Sequence, residues 1–296
     1  MTRLVLAPLR GVTVRCFRET FAPEIAAAGF VEAVTPFVSA MPGVDPMRDS
    51  ELRGGAVSAG GVTVTPQFIG KDPAALQACL KAVKSAGFET ADLNCGCPFP
   101  MVRNKGRGSG ILRTPDVLRR MLDVGCGIMG PGKFSMKARL GVECNDELFA
   151  LMPILNEFPL RFLAIHGRNA RQMYAGECDS NAIRRVLSVS KVPVVLNGDI
   201  PFPPPAGEVP CGVVGLMIGR SFIRSLGERE DAPELLMRYI AASRDELCGD
   251  RPVLGRMKEL ISYWKDLSRW RRRWSTVKMC ASVAELISVL HSPSAR

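Results

Sequence analysis

Histidine is nearly absent from this chain of 296 residues, which holds only His166 and His291. A zinc site would therefore have to be built from scattered thiols. The ten cysteines do not offer one, because the single close pair, Cys95 and Cys97, is spaced by one residue rather than by the two of a redox pair or zinc knuckle. No metal is expected. Long apolar runs are missing too: none approaches the roughly 18 to 20 residues that a membrane span needs. The apolar start of the chain is too short for a signal peptide. A cytoplasmic protein with reduced thiols and no membrane partner is the expectation, and no low-complexity linker divides the chain. Acidic residues are outnumbered, 29 against 39 Lys and Arg, for a formal charge of +10. Residues 251–278 alone hold nine Lys or Arg against Glu259 and Asp266, and all three tryptophans, Trp264, Trp270 and Trp274, lie there. Such a segment suits a polyanion.

What is present is an alternation. Apolar, β-rich runs recur at residues 4–9, 30–34, 62–69, 90–94, 134–140, 162–166, 193–197 and 213–218, with helical periodicity at 73–86, 114–124, 147–158 and 181–190. Continuous apolar strands joined by helical crossovers predict a parallel sheet covered by helices, and eight of them predict an α/β fold of the (β/α)8 TIM-barrel type. Between the last two strands stand Pro201, Pro203, Pro204 and Pro205, so the seventh helix is expected to be reduced. From Pro233 the pattern is purely helical, which divides the chain into a barrel, 1–232, and a small all-helical domain, 233–296.

Barrels carry their chemistry at the carboxyl ends of strands. Those ends hold Pro8-Leu9-Arg10-Gly11, Gln67, Asn94 with Cys97, Lys137 with Arg139, His166 with Arg168, Asn197-Gly198-Asp199, and Gly219-Arg220. Lys137 and Arg139 alternate on a strand and share one face. If that face is inward they require an anionic or electron-rich ligand; a solvated strand end is the alternative. Gly219-Arg220-Ser221 opens a helix directly after a strand and has the form of an anion site, or merely of a tight turn. His166 is a ligand group or a core histidine. Cys97, flanked by Gly96 and Pro98 with no base visibly paired to it, reads better as an acid than as a nucleophile. Cys95 reads as packing.

Ala7-Pro8-Leu9-Arg10-Gly11-Val12-Thr13, Asp92-Leu93-Asn94-Cys95-Gly96-Cys97-Pro98, Lys137-Ala138-Arg139-Leu140-Gly141, His166-Gly167-Arg168, Gln172-Met173-Tyr174, Asn197-Gly198-Asp199-Ile200 and Met217-Ile218-Gly219-Arg220 resemble, in order, the motifs of the tRNA-dihydrouridine synthases. Within that family the chain looks most like the bacterial subfamily that modifies position 16 of the tRNA D-loop. The resemblance implies an FMN-containing, NADPH-reduced, monomeric enzyme that converts a uridine of tRNA to 5,6-dihydrouridine. It implies that Pro8, Leu9, Gln67, Lys137, His166, Asn197, Gly198, Asp199, Gly219 and Arg220 hold FMN. Asn94 and Arg139 would face the uracil, and Cys97 would be the proton donor. In the basic tail, Arg269, Arg271, Arg272, Arg273 and Lys278 would grip tRNA, with the interleaved indoles available for stacking or buried as core. Val14 departs from the family's usual Asp, and Arg10 from a small or acidic residue. The competing readings are another FMN barrel, of the dihydroorotate dehydrogenase or ene-reductase type, and an inactive RNA-binding protein.

Overall fold

The computed structural model describes residues 2–291 other than 59, 206 and 208. Ten strands form one sheet: β1 Arg3–Leu6, β2 Phe30–Val34, β3 Val38–Ser39, β4 Thr63–Thr65, β5 Gln67–Ile69, β6 Ala91–Cys95, β7 Phe134–Gly141, β8 Leu163–Asn169, β9 Val194–Asn197 and β10 Val213–Ile218. Their order is β3-β5-β6-β7-β8-β9-β10-β1-β2-β4, and every pairing is parallel. Leaving aside the short β3, the two ends of that order, β5 and β4, are one stretch of chain. Pro66 has no N–H to give a ladder, so the single run expected at 62–69 becomes β4 against β2 and β5 against β6. Pro66 still accepts from the Asp92 amide at 2.8 Å. The sheet thus closes on itself as an eight-membered barrel, with β3 as a two-residue addition.

The helices are α1 Arg15–Thr20, α2 Ala22–Ala27, α3 Pro73–Ser85, α4 Pro100–Arg103, α5 Pro115–Met129, α6 Glu147–Leu155, α7 Ser180–Val189, α8 Arg220–Glu228, α9 Ala232–Glu246, α10 Asp250–Ser262, α11 Ser268–Met279 and α12 Val283–His291. Asp72 starts α3 by accepting from the amides of Ala74 and Ala75 at 2.9 and 3.3 Å, an N-cap followed by proline at the first helical position. α5 runs past the expected end at 124 because Gly125 does not stop it. A Cβ there would lie 2.1 Å from the Phe134 ring, so glycine lets the helix press onto β7. Among the described residues of 198–212 there is no helix, as the prolines dictate.

The barrel interior is divided. Val5, Ala7, Val34, Phe162, Ala164, Val195 and Met217 pack as an apolar half. Opposite them the buried residues are polar: Glu32, Thr65, Gln67, Asp92, Asn94 and Ser135. At the amino-terminal end Glu32 accepts from Arg3 and Arg161, both at 2.6 Å, and from Thr65 at 2.5 Å. The charges compensate each other, as burial requires. The carboxyl end carries the second polar group of the interior.

Helices α9 to α12 share a core with α1, α2 and α8. Tyr239 meets Phe17 and Phe21 edge-on, with ring centroids 5.8 and 5.4 Å away. Trp264 and Trp270 are fully buried, their indole N–H groups donating to the carbonyls of Ile223 (2.7 Å) and Gly227 (2.8 Å). These two indoles are core, and only Trp274 keeps a partly exposed ring. No described helix is long and apolar enough to cross a membrane.

Candidate active site

Most of the strand-end residues singled out in the sequence lie toward or just past the carboxyl ends of their strands, while Gln67 opens β5 and Lys137 sits in the middle of β7. The turn after β1 is tied by Thr13, whose hydroxyl accepts from the Leu9 amide (2.8 Å) and donates to the Ala7 carbonyl (3.1 Å). This fixes Pro8 and Leu9. Asn94 stands next to last in β6 and is joined to Gln67 by a 2.7 Å hydrogen bond from Asn94 Nδ2 to Gln67 Oε1. Asn94 Oδ1 accepts from the amides of Gly96 (3.2 Å) and Cys97 (2.9 Å), so the loop carrying the thiol is folded back on the strand that feeds it. Ser109 holds the far side, donating its amide (3.1 Å) and hydroxyl (2.9 Å) to the Cys97 carbonyl. Gly108 makes room, since a Cβ there would sit 2.8 Å from that of Cys97.

Burial pushes the Cys97 thiol up, against the pull of the Phe99 amide and of Arg10, Arg139 and Lys137. The group is therefore a thiol at neutral pH, an acid rather than a thiolate. Cys95 is fully buried and its thiol is raised well above the ordinary value, as packing implies. Lys137 and Arg139 do share a face, and it is the inner one. Desolvation brings the Lys137 ammonium down to about 8, with Arg139 adding to the effect and Asp92 opposing it. Arg139 is held by the carbonyls of Gly96 and Asn169, each at 3.0 Å, and lies 5.4 Å from the centroid of the Tyr174 ring. Burial lowers it to about 10. Asp92, wholly enclosed, is raised to about 6 by burial, against hydrogen bonds from Ser135 and Gln67.

Next to β7, β8 brings in His166 in register with Arg139. Burial first, then Lys137, Arg139, Arg168 and Arg220, hold its imidazole far below the ordinary range, so it is neutral. Gly198 (φ 109°) passes so close that a Cβ would meet the His166 ring at 2.5 Å. Asp199, itself left-handed at φ 49°, accepts from Arg168 and, at 2.5 Å, from Arg220. Arg220 opens α8 and lies 4.9 Å from the Tyr174 centroid. Asn197 donates to the Met217 carbonyl at 2.8 Å and so ties β9 to β10. A Cβ on Gly219 would press to 3.1 Å from that of Ala7. These residues bring together four cations about His166, a helix start at Gly219-Arg220, and glycines where a Cβ would press on His166 and Ala7. Those features fit a flavin mononucleotide, the helix start and cations suiting its phosphate and the negative charge its ring takes up on reduction.

Three contributors were not assigned a role from the sequence. Tyr174 lies between Arg139 and Arg220, half exposed at the mouth. Arg168 ties Gly176, Ala175, Cys178 and Asp199 together. Asp92 is a motif residue whose side chain faces in. Arg10, a departure from the family pattern, stands over the Phe37 ring at 5.5 Å. The basic tail is elsewhere, on α11. There Arg271, Arg272 and Lys278 are exposed, Arg269 donates to the carbonyls of Arg229 (3.2 Å) and Glu230 (2.9 Å), Arg273 donates to that of Leu290 (3.4 Å), and Lys278 lies 5.9 Å from the Trp274 centroid.

A closed parallel barrel with a polar carboxyl side, where Lys137, Arg139, Arg168 and Arg220 surround His166, defines the class: a TIM-barrel protein. Among solved structures the fold is like that of the old yellow enzyme homologue from Zymomonas mobilis (TM-score 0.51, 12% identity, 75% of this chain and 85% of that one). It is also like morphinone reductase in complex with tetrahydroNAD (TM-score 0.50, 13% identity, 75% and 84%). At that identity the likeness is of fold alone. Sequence is more specific. The family model described as dihydrouridine synthase matches residues 5–247. The tRNA-dihydrouridine synthase B of Pseudomonas putida is 32% identical over 262 residues, 81% of this chain and 75% of its own. That of Vibrio cholerae is 31% identical over 220 residues, and that of Escherichia coli K12 31% over 225. The chain belongs to the dihydrouridine synthase family; the matched stretch spans 66% of the Vibrio cholerae relative.

Proposed function

We propose that this protein reduces a uridine of the tRNA D-loop to 5,6-dihydrouridine, with FMN as bound cofactor and NADPH as reductant. The observation that carries the reading is the pinned thiol of Cys97 beside Asn94 and Arg139, at the side of the barrel where Lys137, His166 and Arg220 gather. Pro8, Leu9, Gln67, Lys137, His166, Asn197, Gly198, Asp199, Gly219 and Arg220 would hold FMN, and bound there the flavin supplies hydride for C6 of the pyrimidine. Asn94 and Arg139 orient the base. The C5=C6 bond of uracil is conjugated with its C4 carbonyl, so reduction at C6 places negative charge on C5 and O4. Cations around the cleft stabilise that charge. Cys97 donates its proton to C5, the role a thiol kept protonated by burial is suited to.

Residues 1–232 would form the catalytic barrel and 233–296 the part that grips tRNA, since a base must be drawn out of its stack while the rest of the molecule is held. Arg269, Arg271, Arg272, Arg273 and Lys278 supply the charge for that grip. Arg269 and Arg273, being tied to carbonyls, also brace the helices. The resemblance points to position 16 as the target, and the reading is completed by a monomer working in the cytoplasm.

Purified protein should be yellow, or become so with FMN. Cys97→Ala should retain flavin and bind tRNA normally while uridine reduction falls by about 100-fold or more, the usual scale for loss of a general acid. Single-turnover formation of dihydrouridine measures this, and wild-type rates in the variant would refute the acid assignment.

A further inference from the structure

A continuous polar chain runs along the barrel wall beneath Cys97. Ser135 Oγ donates to Asp92 Oδ1 (2.6 Å), Gln67 Nε2 donates to Asp92 Oδ2 (2.8 Å), and Asn94 Nδ2 donates to Gln67 Oε1 (2.7 Å). The chain ends where Asn94 Oδ1 accepts the amides of Cys97 and Gly96. Both ends dictate its polarity. A backbone amide can only donate, so the oxygen of Asn94 faces the loop and its nitrogen faces Gln67. A carboxylate can only accept, so the nitrogen of Gln67 faces Asp92. Both lone pairs of Asn94 Oδ1 are used, and one N–H is all the hydrogen-bonding capacity Asn94 keeps for a ligand. Gln67, Asp92 and Ser135 are fully buried, so water does not compete along the chain.

We propose that Asp92 is a positioning residue. Acting through Gln67, it holds Asn94 as a one-way donor and pins the Cys97 loop, favouring a base with a carbonyl oxygen over one with an exocyclic amine. The base preference rests on the reading that Asn94 faces the pyrimidine. Uracil presents an acceptor at position 4 where cytosine presents a donor. A fixed N–H is satisfied by the first and left facing another N–H by the second, and unpaired buried polar groups are what give such discrimination its strength.

Asp92→Leu and Asp92→Asn test this. Asparagine preserves the chain: its oxygen accepts from Gln67 and its nitrogen donates to Ser135, whose hydroxyl accepts as well as donates. Leucine is close in size and offers no acceptor. Alkylation of Cys97 by iodoacetamide in the flavin-loaded protein, read from the mass of its peptide, should speed up about tenfold in Asp92→Leu, the equivalent of one broken buried hydrogen bond. Turnover at saturating tRNA should fall by a similar factor, with flavin content and tRNA affinity unchanged, and Asp92→Asn should stay near wild type in all four. Equal behaviour of the leucine variant and wild type, or equal losses in both variants, would overturn the proposal. Should Asp92→Leu not fold, Gln67→Glu sets two carboxylates against each other. It should reproduce the faster alkylation, and adding Asp92→Asn should reverse it; a double variant no better than the single one overturns the relay. The alkylation arm needs no substrate. A response there, in a protein whose wild type makes no dihydrouridine, would uphold the relay and refute the function.

Discussion

His166 is a neutral imidazole among four cations, and this sets a pH dependence. In the unfolded chain a histidine takes up a proton near pH 6.5. In the folded protein the pKa lies far below that, because of burial and of Lys137, Arg139, Arg168 and Arg220. Below pH 6.5 the unfolded state therefore binds more protons than the native state, and stability is lost as pH falls, by up to about 1.4 kcal/mol per pH unit. Above pH 6.5 the contribution is flat. Urea unfolding between pH 7.5 and 5 should show this slope in wild type and a shallower one in His166→Gln; parallel profiles would show that His166 takes up a proton in the native state. As to what could be read at this scale beforehand, Asn94, Cys97, Lys137, Arg139 and His166 are legible because each belongs to a polar motif within or directly after an apolar strand. The position of Tyr174, and the carbonyls of Ala175 and Gly176 that Arg168 ties, depend on how the loop after β8 folds back, with Met173 at φ 52°, which periodicity does not reveal. Asp92 was inside the most distinctive motif, but its partners Gln67 and Ser135 come from other strands.

At the scale of elements, α11 shows what a basic, aromatic run becomes once it is helical. Successive residues turn by about 100°, so Trp270 and Val277, seven apart, share the buried face. Arg271, Arg272 and Lys278 fall on the exposed side. Their replacement together by Ala should weaken tRNA binding across all tRNA species and reduce the salt slope of log Kd by roughly one for each phosphate no longer neutralised. Filter binding from low to moderate salt reads both. Unchanged affinity and slope would make the helix a bracket for the barrel only. Prolines were good guides elsewhere: the run from Pro201 to Pro205 marked the missing helix. Pro66, lying inside an apolar run, hid the break between β4 and β5. The short helices α1 and α2 carried too few turns to show a periodicity.

For the whole molecule, eight apolar runs with helices between them were enough to predict a parallel barrel, and the sheet order closes as that prediction requires. The division of the interior into an apolar half and a polar one was not legible. It depends on which face of each strand turns inward, and that is set by register with neighbours, as in Asn94 beside Lys137 and His166 beside Asn197. This division places the cations and the thiol loop on adjoining strands at one mouth, from which the proposed chemistry follows. The most direct test is position-resolved mapping of dihydrouridine in tRNA from cells lacking this protein. One D-loop position, 16, should lose the modification and regain it when wild-type protein, but not Cys97→Ala, is restored. Dihydrouridine unchanged at every position would contradict the account.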